Sequence, residues 1–144
     1  FIRRAHRMFK ACWYLGNEDF GGIEALRSDL DVCADALDEY AAHVYVSDEN
    51  GVPIAAGRMY PIGEALRLDR ILAARQYANL PYEELVLRIL LYRARELPQS
   101  VIEVETVPGI ENILPKFGFS QTDDDPRIMR CARDAITWFS LCND

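Results

Sequence analysis

The chain has 144 residues, half of them apolar and 27% charged, with a net charge of −7 at neutral pH. That length suits one compact domain with a sizeable core, and the acidic balance argues against nucleic-acid binding, which calls for a basic face. No apolar run approaches the roughly 18 to 20 residues that span a bilayer.

Phe1 stands where an initiator methionine would, so the natural chain is read as starting upstream, and nothing suggests a signal peptide. Residues 9–15 are rich in β-formers and stop at Gly16-Asn17, which predicts a first strand. Residues 23–40 read as a helix broken near Asp31, with Ile23, Leu26, Leu30, Cys33 and Leu37 in an apolar stripe. A strand over 42–46 is followed by Asp48-Glu49-Asn50-Gly51, a hairpin turn because Asn and Gly tolerate positive φ, and by a return strand over 53–60. After Pro61-Ile62-Gly63, a strand over 65–74 is predicted, and then the strongest helix of the chain, 81–97, with Tyr82, Leu85, Val86, Ile89 and Leu90 on one face. Pro98 ends it. Residues 101–105 alternate as a half-buried strand, 110–117 read as a short helix closed by Gly118, and two further strands are expected at 119–122 and 127–131.

The tail 132–144 carries Ile136, Trp138, Phe139 and Leu141 and must pack on this chain or on a partner, as in a homodimer or a tandem-domain protein. No repeat, low-complexity tract or linker appears, so 1–144 is read as one domain. An antiparallel meander, a crossover helix, another strand and a final hairpin give an α+β fold. It is a three-layer α/β/α domain around a central mixed, mostly antiparallel sheet. Cys12, Cys33, Cys131 and Cys142 lie far apart and, with His6 and His43, show no zinc-type spacing, so no metal site is expected. Reduced, mostly buried thiols of a cytoplasmic protein are the expectation. The acidic stretches at 29–48 and 123–125 read as a solvated surface, with attraction for amine substrates as the functional alternative.

Four strings, in this order and spacing, carry a resemblance. Leu37-Asp38-Glu39-Tyr40-Ala41-Ala42-His43-Val44 leads into the second strand, and Gly51-Val52-Pro53-Ile54-Ala55-Ala56-Gly57-Arg58 forms the hairpin. Arg70 to Tyr77 runs through Ala78-Asn79-Leu80-Pro81-Tyr82-Glu83 into the long helix, and Lys116-Phe117-Gly118-Phe119 closes the series. Over roughly residues 37–131 the chain resembles the Gcn5-related N-acetyltransferase (GNAT) superfamily, as a divergent bacterial member. The resemblance implies an acyl-CoA-dependent transfer to a small amine, with acetyl-CoA as cofactor. It places the pantetheine arm along Ile71, Leu72 and Ala73, and the pyrophosphate near Arg75, Asn79, Leu80 and Tyr82.

The family's Arg-Gly-x-Gly-x-Gly turn is altered here, its three glycine positions reading Asn79, Pro81 and Glu83. A pyrophosphate at a helix N-terminus needs free amides and close approach. Pro81 has no amide to give, and Glu83 and Glu84 put negative charge in the first turn, as in a self-sufficient helix start. The family's tyrosine proton donor falls at Leu114, which cannot donate; Tyr77 is the substitute, with Tyr82 or Tyr60 as others. Where related proteins carry His-Ala-Gln, this chain has Glu105-Thr106-Val107. Glu103 and Glu105 share one strand face and could act as general base through water, or simply form an exposed face. Strand alternation sends Asp69 and Arg70 to opposite faces, and His43 reads as a hydrogen-bonded structural residue. These readings give a GNAT-like protein with impaired or lost catalysis. The alternative is a non-catalytic binding or regulatory module, or one subunit of a dimer or tandem protein.

Overall fold

The computed structural model describes residues 10–14 and 20–138. Seven strands form one sheet: β1 (Lys10–Tyr14), β2 (Ala42–Ser47), β3 (Pro53–Ile62), β4 (Ala65–Ala73), β5 (Val101–Glu105), β6 (Ser120–Gln121) and β7 (Ile128–Ala132). Their order across the sheet is β1-β2-β3-β4-β5-β7-β6. All neighbours are antiparallel except β4 and β5, which run parallel. That exception follows from the crossover helix between them, since parallel strands cannot be joined by a tight turn. Helix α1 (Gly21–Asp29) follows β1, and helix α2 (Tyr82–Ala94) is the crossover.

The helices cover opposite faces. Consecutive strand residues point to opposite sides, and Ala55 and Ile71 join the core under α2, with Val86, Leu87, Leu90 and Leu91. Their neighbours Ala56 and Leu72 pack with Ile23 and Leu26 of α1. Gly57 permits the closeness of α2: a Cβ there would lie 2.6 Å from Val86 Cγ1 and 2.9 Å from Leu90 Cδ1.

Several sequence expectations are corrected. The helix expected over 23–40 does break at Asp31, which adopts φ 60°, but only its first part, α1, is α-helical, and a 3-10 turn follows at Ala36–Glu39. Cys33 and Leu37 are exposed rather than part of a buried stripe, so the thiols are not all buried; Cys131 is. The helix expected over 110–117 is a run of turns ending in a 3-10 turn, Leu114–Phe117, because Pro115 has no amide for a helical hydrogen bond. Gly118 does close it, at φ 103°. Ile136 is buried and Trp138 packs against this chain's own core. Phe9, Leu15, Gly16 and Asn17 of the first predicted strand and its turn, His6, and Phe139, Leu141 and Cys142 of the tail lie outside the described residues. Among the described residues no helix is long and apolar enough to cross a membrane.

Candidate functional site

The parallel pair β4–β5 is short. Its register runs from Ala65↔Val101 to Leu68↔Val104 and stops, while β4 continues to Ala73 against β3. Beyond Leu68, among the described residues, one backbone edge of β4 therefore has no strand beside it, and the sheet forks. Ile71, Leu72 and Ala73 lie on that edge. The chain then passes through a 3-10 turn, Arg75–Tyr77, and enters α2 at Tyr82. The expected cofactor residues are thus brought together along one strand edge and the turn after it.

The turn's hydrogen bonds point inward. The amides of Tyr77, Ala78, Leu80 and Tyr82 donate to the carbonyls of Ala74 (2.9 Å), Arg75 (3.2 Å), Tyr77 (3.0 Å) and Leu80 (2.9 Å). Pro81 is the residue before the first helical position and has no amide. Glu83 and Glu84 occupy the first turn of α2, where the helix dipole favours negative charge. Burial raises the Glu83 carboxyl above its ordinary range. That carboxylate lies against Gly109, where a Cβ would sit 2.9 Å from Glu83 Oε1. The loop after β5 thereby meets the start of α2 across the mouth of the fork. Arg75 is turned elsewhere: it is exposed, and its Nη2 donates to the Asp29 carbonyl at 3.0 Å.

Leu114, the expected donor position, is fully buried. Tyr77 and Tyr82 pack edge to face at 5.4 Å, and Tyr82 is buried with its phenol raised by desolvation. Tyr60 donates to Asp69 Oδ2 at 3.2 Å. Glu103 is not on an exposed strand face. It is 5% exposed because its register partners Arg67 and Arg130 close over it. Arg67 Nε and Nη2 donate to Oε1 at 3.0 and 2.8 Å, and Arg130 Nε to Oε2 at 2.9 Å. Burial works to raise its pKa, but the hydrogen bonds from Arg67 and Arg130 outweigh it, and the carboxyl is held below the ordinary glutamate range. A carboxylate so stabilised is a weak base. Glu105 is half-buried on the same face.

Sequence reading missed a second cluster, on the α1 face of the fork. Between the pairs Ala56↔Leu72 and Arg58↔Asp69, Gly57 faces two residues, Arg70 and Ile71. This is a β-bulge with Arg70 at φ 50°. The bulge breaks the alternation, so Asp69 and Arg70 serve the same cluster instead of opposite faces. Arg58 Nε and Nη2 donate to Asp69 at 2.8 and 3.0 Å, and its Nη1 donates to Asp35 at 2.7 Å and Asp38 at 2.9 Å. Arg70 Nη2 donates to Asp35 at 3.0 Å. Arg27 Nη1 donates to Asp38 at 3.2 Å, and its Nη2 lies 3.2 Å from His43 Nδ1. His43 Nε2 donates to the Asp38 carbonyl at 3.0 Å, which leaves Nδ1 to accept from Arg27. Burial lowers Arg27 to about 10 and pushes His43 below the ordinary imidazole value. Arg58 is also opposed by burial, but the carboxylates of Asp69 and Asp35 outweigh it and raise its pKa. The sequence did carry its members separately, with Asp38 and His43 in the first string, Arg58 at the end of the hairpin string and Asp69-Arg70 before the cofactor strand, but nothing in it joined them.

No protein-family profile and no curated protein matches this chain. Solved structures do. An acyl-CoA N-acyltransferase from Pseudomonas aeruginosa superposes with a TM-score of 0.71 at 16% identity, covering 86% of this chain and 99% of that one. A GNAT-family N-acetyltransferase from Escherichia coli, in complex with CoA, gives 0.69 at 15%, covering 90% and 85%. A GNAT-family acetyltransferase from Elizabethkingia anophelis with acetyl-CoA bound gives 0.62 at 16%, covering 80% and 78%. The chain has the GNAT fold.

Proposed function

We propose that this GNAT-fold chain descends from an acyl-CoA-dependent N-acyltransferase whose acyl transfer to a small amine is now impaired or lost. The observation that carries this reading is the turn before α2. The amides of Tyr77, Ala78, Leu80 and Tyr82 are already used by the turn's own carbonyls, Pro81 has none, and the first helical turn holds Glu83 and Glu84. A pyrophosphate arriving there would find these four donors already used and two carboxylates in the first helical turn. The remaining machinery agrees. Leu114 cannot protonate a thiolate, and Glu103 is neutralised between Arg67 and Arg130. The fold then serves as a binding or regulatory module. The test is release of free CoA thiol from acetyl-CoA in the presence of a panel of primary amines. Release at the buffer rate is expected, and amine-dependent turnover would overturn the reading.

A second reading has one observation in its favour. The fork persists, with the Ile71–Ala73 edge unpaired by β5, and two structures of this fold hold CoA or acetyl-CoA. On that reading the chain keeps a weakened acyl-CoA site bound through the pantetheine arm. Binding without turnover would distinguish it.

A further inference from the structure

The segment between α1 and β2 is attached to the molecule in an unusual way. From Asp31 to Tyr40 no side chain is buried, and Cys33 through Leu37 are exposed in succession. Its backbone hydrogen bonds to other backbone groups are local: Asp31 and Val32 bond to the end of α1, Asp38 to Asp35, and Tyr40 to Leu37. Two carboxylates join it to the sheet by ion pairs, and Asp31 makes a further, exposed pair with Arg75 after β4. Asp35 reaches Arg58 and Arg70, and Asp38 reaches Arg58 and Arg27, with His43 holding the Asp38 carbonyl. Asp69 and Arg70, where these pairs are anchored on β4, are the first two residues beyond the last β4–β5 pair. The segment therefore lies over the fork on the α1 side, while Glu83 and Gly109 meet across it on the α2 side.

We propose that residues 31–40 form a strap, fastened by charge rather than by apolar packing, that closes the α1 side of the fork and lifts as a unit. Segments with few buried apolar contacts open at lower free energy than the core around them. Leu30 packs on the apolar layer under α1 and stays as the hinge, so opening of 31–40 costs chiefly the Asp35 and Asp38 contacts and leaves the hydrophobic layers under α1 and α2 in place. With the strap lifted, Asp69 and Arg70 line an open cleft beside the fork that polar ligands can enter. This holds whether or not acyl-CoA binds on the opposite face.

The experiment is hydrogen–deuterium exchange by mass spectrometry on wild type and Asp35→Asn at neutral pH. Asparagine keeps an oxygen for the Leu37 amide, which Asp35 Oδ1 caps at 3.0 Å, and removes the charge facing Arg58 and Arg70. The expected result is exchange about tenfold faster in residues 31–40, a factor equivalent to about 1.4 kcal/mol, with peptides from α2 and β5 unchanged. Exchange unchanged in 31–40, or rising equally across the sheet and α2, would overturn the strap. Should the variant not fold, wild type in about 1 M salt, where screening reaches down to about 3 Å, is read by the same two outcomes.

Discussion

Substituting Gly57 with alanine tests how α2 is seated against the bulge. An added Cβ would stand 2.6 Å from Val86 Cγ1, 2.9 Å from Leu90 Cδ1 and 3.4 Å from Ile71 Cγ1. Carbon atoms in contact prefer about 3.5–4.0 Å, so the helix or its side chains must yield by roughly 1 Å. Leu90 can swing its terminal methyl aside. Val86 cannot, because a β-branched residue in a helix is confined to essentially one χ1 rotamer. The clash therefore passes to the helix backbone, and overpacking of this kind costs about 1–3 kcal/mol. For a domain of this size that lowers the melting temperature by about 3–9 °C. Thermal and urea unfolding of Gly57→Ala would read it directly. The account further requires that Val86→Ala relieve the clash, leaving the double variant more stable than the sum of the two single losses by at least about 0.5 kcal/mol. A Gly57→Ala protein as stable as wild type, or strictly additive losses, would refute the claim that this close approach sets the position of α2.

Three other outcomes are expected. Glu103→Gln should cost about 1–3 kcal/mol at neutral pH, the partial exposure of Arg67 and Arg130 keeping it below the full cost of a broken buried pair. Because Glu103's folded-state pKa is depressed, its contribution is present above the ordinary glutamate value of about 4.3 and lost as pH falls through the lower folded value. The stability gap to wild type, followed by urea unfolding, should close in acid; a gap that persists there would contradict the clamp. Glu83→Gln carries the opposite sign. The folded-state pKa of Glu83 is raised by burial, so its ionisation opposes folding as pH climbs, and the variant should gain relative to wild type from about pH 3 to neutral. A pH-independent difference would place that carboxylate in solvent. Native-state labelling with a thiol reagent should modify the exposed Cys33 well before Cys131, which is buried with its thiol pushed up; equal rates would show the β7 side of the core to be open.

The meander, the crossover helix and the closing hairpin were legible because each rests on a local signal: alternation in 101–105, Asn50-Gly51 in a turn, an apolar face at helical spacing after Pro81. The misreadings have equally physical causes. Residues 110–117 have a helical pattern, but Pro115 removes the amide the pattern assumes. Cys33 and Leu37 continue the stripe of α1 on paper, yet Asp31 at φ 60° turns the chain before they can join it. At the site, the residues of the fork were found because strand, turn and helix are contiguous. Glu103 was read as surface because its partners lie 36 and 27 residues away. The pairing of Asp69 and Arg70 with one cluster depends on a bulge opposite Gly57, which strand alternation cannot register.

Calorimetric titration with acetyl-CoA, using CoA as comparison, tests the central claim most directly, since it asks whether the turn at 77–84 still holds a pyrophosphate. The account predicts no saturable heat in the micromolar range and no thermal stabilisation by the ligand. Micromolar binding, a free energy of about −8 kcal/mol, would contradict it, because the turn would then hold a pyrophosphate despite the inward amides of Tyr77, Ala78, Leu80 and Tyr82 and the carboxylates of Glu83 and Glu84.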